Sequence, residues 1–238
     1  MELSPTGNES GIVFSSSGIS IPGDSESNLC VRAYQLIGKD YLLPGVKLHL
    51  HKSIPVGAGL GGGSSDAAFF IRLLNDQFEL GLSWGELHHY AKQIGSDCSF
   101  FITNKPAIVS GRGEEMEPVP EILKDCFLVL VCPAVHMSTK EAYDLVTPTP
   151  PMFDLEDFLL QNQPEAWKEK VQNDFEKPIF SLHPSLAGIK KKLYELGAVY
   201  SSMTGSGSAV YGIFREQKTS IEPEFEAFGS CFVWSGML

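Results

Sequence analysis

The chain has 238 residues, of which 43% are hydrophobic, 20% charged and 11% aromatic, and its net charge is −11. That is enough apolar material for one large or two small buried cores, and it excludes disorder and collagen-like structure. No run of about 18 apolar residues could span a membrane, no basic-then-apolar leader opens the sequence, and the acidic balance argues against nucleic acid or anionic lipid as a partner.

The Ser- and Gly-rich stretch Gly7–Pro22 predicts two short β pieces, Ile12–Phe14 and Ile19–Ile21, followed by a helix over Ser27–Ile37. Val46-Lys47-Leu48-His49-Leu50-His51 alternates apolar and polar residues, as in a strand with one buried and one wet face. A long helical pattern runs from Ser64 to about Leu80 and stops at Gly81. Ser83-Trp84-Gly85-Glu86 is a capping box that opens a second helix ending near Gly95. Strands follow at Ala107–Ser110 and Phe127–Cys132. Ser138-Thr139-Lys140-Glu141 caps another helix, Thr147–Pro151 is a proline-rich loop, and helical patches lie at Leu155–Leu160 and Glu165–Val171. The last part reads as helix 184–196, strand 198–203, a Gly-Ser-Gly turn, strand 208–214, helix 221–228 and strand 231–235. The pattern implies an α+β chain of two domains, 1–125 and 126–238, the second an α/β sandwich on an antiparallel sheet.

Cys30, Cys98, Cys126, Cys132 and Cys231 form no CxxC, and most lie in apolar runs. They read as buried free thiols of a reducing compartment, the cytoplasm. The six histidines show no zinc spacing: His49 and His51 alternate along a strand, and His88 and His89 diverge as helical neighbours. The basic run Lys190-Lys191-Lys192 reads as a solvated helix face opposite Leu186, Ile189, Leu193 and Leu196.

The main chemical signal is Pro55-Val56-Gly57-Ala58-Gly59-Leu60-Gly61-Gly62-Gly63-Ser64-Ser65-Asp66, in which five of the seven residues from Gly57 to Gly63 are glycine. A strand, a dense glycine loop and a helix N-terminus together build an anion site. Main-chain amides can approach phosphate without a Cβ in the way, the helix dipole favours negative charge, and Ser64 and Ser65 add hydroxyls. The P-loop pattern fails because no lysine follows the glycines. Gly57, Gly59 and Gly62 match GxGxxG, but the half-wet strand and the second helix that follows do not suit a dinucleotide fold.

The loop Pro55–Ala68 resembles the second signature motif of the GHMP small-molecule kinases. Gly95-Ser96-Asp97-Cys98-Ser99-Phe100-Phe101 is similar to a Gly-x-Asp-x-Pro-Phe-Phe segment of one branch of that family, and Met203-Thr204-Gly205-Ser206-Gly207-Ser208-Ala209 to its C-terminal glycine motif. The resemblance implies an N-terminal ribosomal-S5-domain-2-like α/β domain and a C-terminal ferredoxin-like one. It also implies transfer of the γ-phosphoryl group of ATP, with Mg²⁺ bridging its oxygens, to the 2-hydroxyl of a cytidine-diphosphate methylerythritol in non-mevalonate isoprenoid biosynthesis.

By the same resemblance Asp97 is the catalytic base, although it could equally cap a short turn. Asn28 contacts the nucleotide, or caps its helix, or both. Lys52, Ser53 and Ile54 line the adenine pocket through backbone groups, and Gly57, Ala58, Gly59, Leu60, Gly61, Gly62, Gly63, Ser64 and Ser65 hold the triphosphate. Asp66 stands where relatives often carry Asn; a carboxylate there would be repelled unless Mg²⁺ or the helix dipole intervenes. Thr139 and Tyr143 match positions near the cytidine. Gly205 and Gly207 match the third motif, with Gly205 at the substrate, where a tight turn would also need glycine.

Two departures stand out. Ser99 replaces the family's proline, and the opening Pro-Ala-Lys-x-Asn and Asp-Gly-Tyr-His segments do not occur. The resemblance therefore implies a chain that starts inside the family's first domain. It leaves open a nucleotide-binding module without catalysis, and an open sheet edge leaves room for a homodimer.

Overall fold

The computed structural model describes residues 1–7, 10–111, 113, 115–147, 149–150 and 152–238. The chain divides into two compact units, one of Met1–Val56 with Gly61–Pro120 and one of Gly57–Leu60 with Glu121–Leu238.

The first unit is built on a three-stranded sheet of β1 (Glu2–Pro5), β2 (Ile12–Gly18) and β3 (Val46–Lys52), with β3 central. β1 runs antiparallel to β3 and β2 parallel to it, with Ile12 opposite Val46 and Gly18 opposite Lys52. Val46, Leu48, Leu50 and Lys52 share the buried face of β3, whereas Lys47, His49 and His51 face outward. On that outer face Ser15 and Ser17 of β2 hydrogen-bond the two histidine rings at 2.9–3.0 Å. Helices α1 (Leu29–Ile37), α2 (Gly62–Gln77), α3 (Trp84–Ile94) and α4 (Cys98–Thr103) complete the unit with a hairpin of β4 (Ala107–Ser110) and β5 (Glu115–Pro118). Ala33 and Ile37 of α1, Phe70, Ile71 and Leu74 of α2, and Ile102 of α4 pack with Val46 and Leu48 in one core. Apolar residues three or four apart on each helix make this possible.

The second unit carries a four-stranded antiparallel sheet of β6 (Phe127–Pro133), β7 (Tyr200–Met203), β8 (Val210–Phe214) and β9 (Cys231–Met237), in the spatial order β7-β8-β6-β9. Helices α5 (Thr139–Asp144), α6 (Leu155–Gln161), α7 (Glu176–Leu182) and α8 (Pro184–Glu195) lie between β6 and β7, and a 3₁₀ segment, Glu222–Phe228, lies between β8 and β9. This is the βαββαβ arrangement of a ferredoxin-like sandwich. Leu186, Ile189 and Leu193 of α8 meet Phe127, Val129 and Val131 of β6 in its core.

Several boundaries differ from the sequence expectation. Ile19–Ile21 is not a strand: after Gly18 the chain turns away, and only Ile19 N–H still reaches β3, at Lys52 O. α1 begins at Leu29 because Asn28 caps it, Oδ1 accepting from Cys30 N–H at 2.9 Å. α2 begins at Gly62, inside the glycine run, and ends at Gln77. Glu165–Val171 forms a 3₁₀ turn, Pro164–Ala166, and further turns in place of a helix, and 221–228 is also 3₁₀. β1, α4, β5 and α7 had no counterpart in the sequence reading. In the expected loop Thr147–Pro151, Pro148 and Pro151 lie outside the described residues.

The lysine run is only partly solvated. Lys191 and Lys192 pair with Glu195 and Glu224 at 3.6 and 2.7 Å, but Lys190 turns inward onto the buried Glu176 at 2.5 Å. Cys30, Cys98, Cys126 and Cys132 are buried and Cys231 is half-buried, all as free thiols. No helix among the described residues is long and apolar enough to cross a membrane.

Asn28→Ala removes the α1 cap and is expected to lower unfolding free energy by about 1 kcal/mol in urea titration, with Asn28→Asp retaining most of it.

Candidate active site

In the first unit the site grows from the end of β3 and the start of α2. Gly61 is the α2 N-cap, with a left-handed φ of 63° and no side-chain cap bond. The first intrahelical bond joins Ser65 N–H to Gly61 O at 2.8 Å, so the amides of Gly62, Gly63 and Ser64 have no helical acceptor and stand at the positive end of the helix. Phe101 of α4 closes on this turn, since a Cβ on Gly61 would lie 2.9 Å from its ring. Ser64 hydrogen-bonds the Cys98 thiol.

Asp97 therefore sits one residue from a side chain anchored to the first turn of α2. It is exposed, occupies the N-cap position of α4 and makes no capping bond; among the described residues its hydrogen bond comes from Ser96 Oγ at 3.4 Å. A capping role does not account for it. Arg32 of α1 and Asp97 both act electrostatically on Cys98, whose pKa is raised chiefly by burial. The sequence reading did not single out this arginine.

Ser99, where the resemblance leads one to expect proline, is fully buried, and its Oγ lies 2.9 Å from His88 Nδ1, while His88 Nε2 lies 3.1 Å from Thr103 Oγ1. One imidazole thus fastens both ends of α4 to α3. Burial, and then Lys92, lower the pKa of His88. Among the described residues no group of three or more His, Cys, Asp or Glu could hold a metal ion.

Lys52 and Asp66 form a direct ion pair, with Lys52 only 3% exposed. The ammonium lies beneath the first turn of α2: a Cβ on Gly62 would come within 3.2 Å of Lys52 Nζ. Lys52, expected to act through its backbone, thus has its side chain committed to Asp66, which is neutralised by a lysine of the same unit. The signal was present in the strand, where Lys52 has the parity of Val46, Leu48 and Leu50. Beside the pair, the Cys30 thiol is pushed up to about 12 by burial, with Asp66 adding to the shift. Ser53, Ile54 and Val56 are exposed just before the glycines, and Pro55 is half-buried.

In the second unit Gly57–Leu60 is joined to the third glycine motif. Ala58 O accepts from Ala209 N–H at 3.0 Å, and Gly59 O accepts from Thr204 Oγ1 at 2.9 Å. Gly59 has φ +74°, and a Cβ there would lie 2.5 Å from Thr204 O and 2.7 Å from Gly207 O. Two motifs about 145 residues apart are thus one hydrogen-bonded body. Gly205 is exposed on its rim. Thr139 opens α5 and is exposed, and Tyr143 on the same helix is 63% exposed, its ring set edge-on to Phe175 at 5.0 Å. A cavity of about 790 Å³ near Met152, Phe158 and Asp174 is lined by none of the residues singled out from the sequence.

Residues 28–111 match the model of the GHMP kinases N terminal domain, and residues 155–230 that of the GHMP kinases C terminal domain. The chain is 44% identical over 225 residues to a 4-diphosphocytidyl-2-C-methyl-D-erythritol kinase of Parabacteroides distasonis, covering 94% of this chain and 82% of that one. The chain belongs to the GHMP kinase family. A kinase of the same name from Azobacteroides pseudotrichonymphae is 48% identical over 204 residues, 85% of this GHMP kinase and 76% of the relative. A crystal structure of 4-(cytidine 5'-diphospho)-2C-methyl-D-erythritol kinase superposes with a TM-score of 0.76 at 28% identity, covering 98% of this chain and 84% of that one.

Gly59→Ala drives a methyl group into two carbonyls and is expected to abolish calorimetric ATP binding. Asp66→Ala strands a buried ammonium and is expected to cost about 3–5 kcal/mol in denaturant unfolding. The double change Lys52→Met with Asp66→Leu is expected to cost less than Asp66→Ala alone; a larger loss in the double variant would refute the pair.

Proposed function

We propose that this chain transfers the γ-phosphoryl group of ATP to the 2-hydroxyl of 4-diphosphocytidyl-2-C-methyl-D-erythritol, a reaction of non-mevalonate isoprenoid biosynthesis carried out in the cytoplasm. The observation that carries the reading is 44% identity to kinases named for that substrate, in a chain whose Asp97 adjoins Cys98, a residue hydrogen-bonded to Ser64 in the first turn of α2.

The residues fit a nucleotide triphosphate. Gly62, Gly63 and Ser64 offer amides at a helix N-terminus, and the neighbouring carboxylate, Asp66, is compensated by Lys52. The exposed apolar side chains of Ile54 and Val56 suit one face of an adenine ring, and Asn28 keeps its amide Nδ2 for the nucleotide while Oδ1 caps α1. The described residues build no metal cage, so Mg²⁺ would be held mainly by the phosphates, as is usual for this ion. When bound, the magnesium nucleotide supplies the phosphoryl group and neutralises charge on its oxygens.

Asp97 orients the acceptor hydroxyl and takes its proton as the new O–P bond forms and the bond from the γ-phosphorus to the bridging oxygen breaks, leaving ADP. An exposed carboxylate without a capping bond is available for that role. In the second unit the exposed Tyr143 ring stacks the cytosine base, and Thr139 offers a hydroxyl beside it.

Asp97→Asn is expected to lower kcat by about 10²–10⁴-fold while leaving ATP affinity within about twofold. The assay couples ADP release to that acceptor and measures ATP affinity separately by calorimetry. Unchanged turnover would remove Asp97 from the mechanism, and ATP binding without turnover in the unaltered chain would favour the module without catalysis.

A further inference from the structure

The second unit contains a short polar turn, Asn173-Asp174-Phe175-Glu176, that leads into α7 and belongs to none of the glycine motifs. Asn173 Oδ1 accepts from Phe175 N–H at 2.9 Å, and Asn173 O accepts from Glu176 N–H at 2.9 Å, which closes the turn. Asn173 Nδ2 then donates to Met203 O and to Gly205 O, each at 2.8 Å. The buried Glu176 takes the other side of the same strand end. Its Oε1 accepts from Met203 N–H at 2.8 Å and from Ser202 Oγ at 3.1 Å, and its Oε2 accepts from Lys190 Nζ at 2.5 Å.

A buried carboxylate is tolerated only when its oxygens are paired, and here both are. What the two side chains hold is the end of β7 and the first residues of the third glycine motif. Thr204, between the two gripped carbonyls, is the residue that bonds Gly59 O. A Thr-Gly-Ser-Gly turn has little conformational preference of its own, so its place must be set from outside. The third residue of the turn points elsewhere: the Phe175 ring meets Tyr143 edge-on.

We infer that Asn173 and Glu176 are positioning residues for the triphosphate and Phe175 a positioning residue for the acceptor's base. One turn thereby fixes both ligand subsites of this unit. Asn173 acts through Met203–Gly205 on Gly59, and Phe175 acts by holding the Tyr143 ring. The inference rests on the phosphoryl-transfer reading above.

Calorimetry on the full chain with magnesium ATP, and separately with cytidine diphosphate as a probe of the acceptor half, tests it. Asn173→Asp keeps the bond from Phe175 N–H but sets an oxygen against two carbonyls. It is expected to weaken ATP by about tenfold or more and cytidine diphosphate by less than about twofold. Phe175→Leu is expected to give the reverse pattern, a loss of about three- to tenfold confined to cytidine diphosphate. A merely structural role would lower the melting temperature of both variants without this split. Should Asn173→Asp not fold, Asn173→Ala carries the same expectation without the repulsion. A folded Asn173 variant that binds ATP as the unaltered chain does overturns the inference alone. An unaltered chain that binds no ATP overturns the phosphoryl-transfer reading and this inference together.

Discussion

The carbonyls of Ala58 and Gly59 are the constraint on which the site depends. A peptide that offers N–H groups to an anion must send its C=O groups elsewhere, or the two ends of each dipole cancel. Here Ala209 N–H and the Thr204 hydroxyl take those carbonyls. The glycine loop therefore has the carbonyls of Ala58 and Gly59 already committed. Glycine at position 59 is required for steric reasons as well, because the same two strands of backbone must nearly touch.

Charge around α2 follows the same economy. A chain with net charge −11 has little reason to attract a polyanion, so the attraction has to be local. Asp66, in the second turn of α2, would oppose it, and Lys52 cancels Asp66 from below. Burial of Lys52 at the end of β3 makes the pair costly to break and fixes the helix start relative to the sheet. The helix dipole and three amides without a helical acceptor are left as the net field at the start of α2.

Much of this was legible in one dimension. Ser83 with Glu86, and Ser138 with Glu141, are capping boxes in the sequence and in the structure. The alternation of Val46–His51 is the observed strand, and the glycine run is followed by a helix. α4 escaped notice because six residues, Cys98–Thr103, are too few to show a period. Glu2–Pro5 escaped because its pairing with β3 supplies what its composition does not. The start of α2 was placed two residues late because glycine has poor helix propensity, a preference overridden by packing against Phe101 and Ile54. Asn173 and Glu176 were invisible for a different reason: polar residues in an irregular stretch gain meaning only from partners about 30 residues away.

Ser99 carries the longest consequence. A proline at that place would stiffen the start of α4 through its ring, whatever the solvent. Here the stiffening comes from an imidazole that spans Ser99 and Thr103 and whose neutral form is favoured by burial. The segment bearing Asp97 is therefore moored by a group that takes up a proton in acid. The stiffness of the segment that carries Asp97 thus rests on two side-chain hydrogen bonds rather than on a pyrrolidine ring.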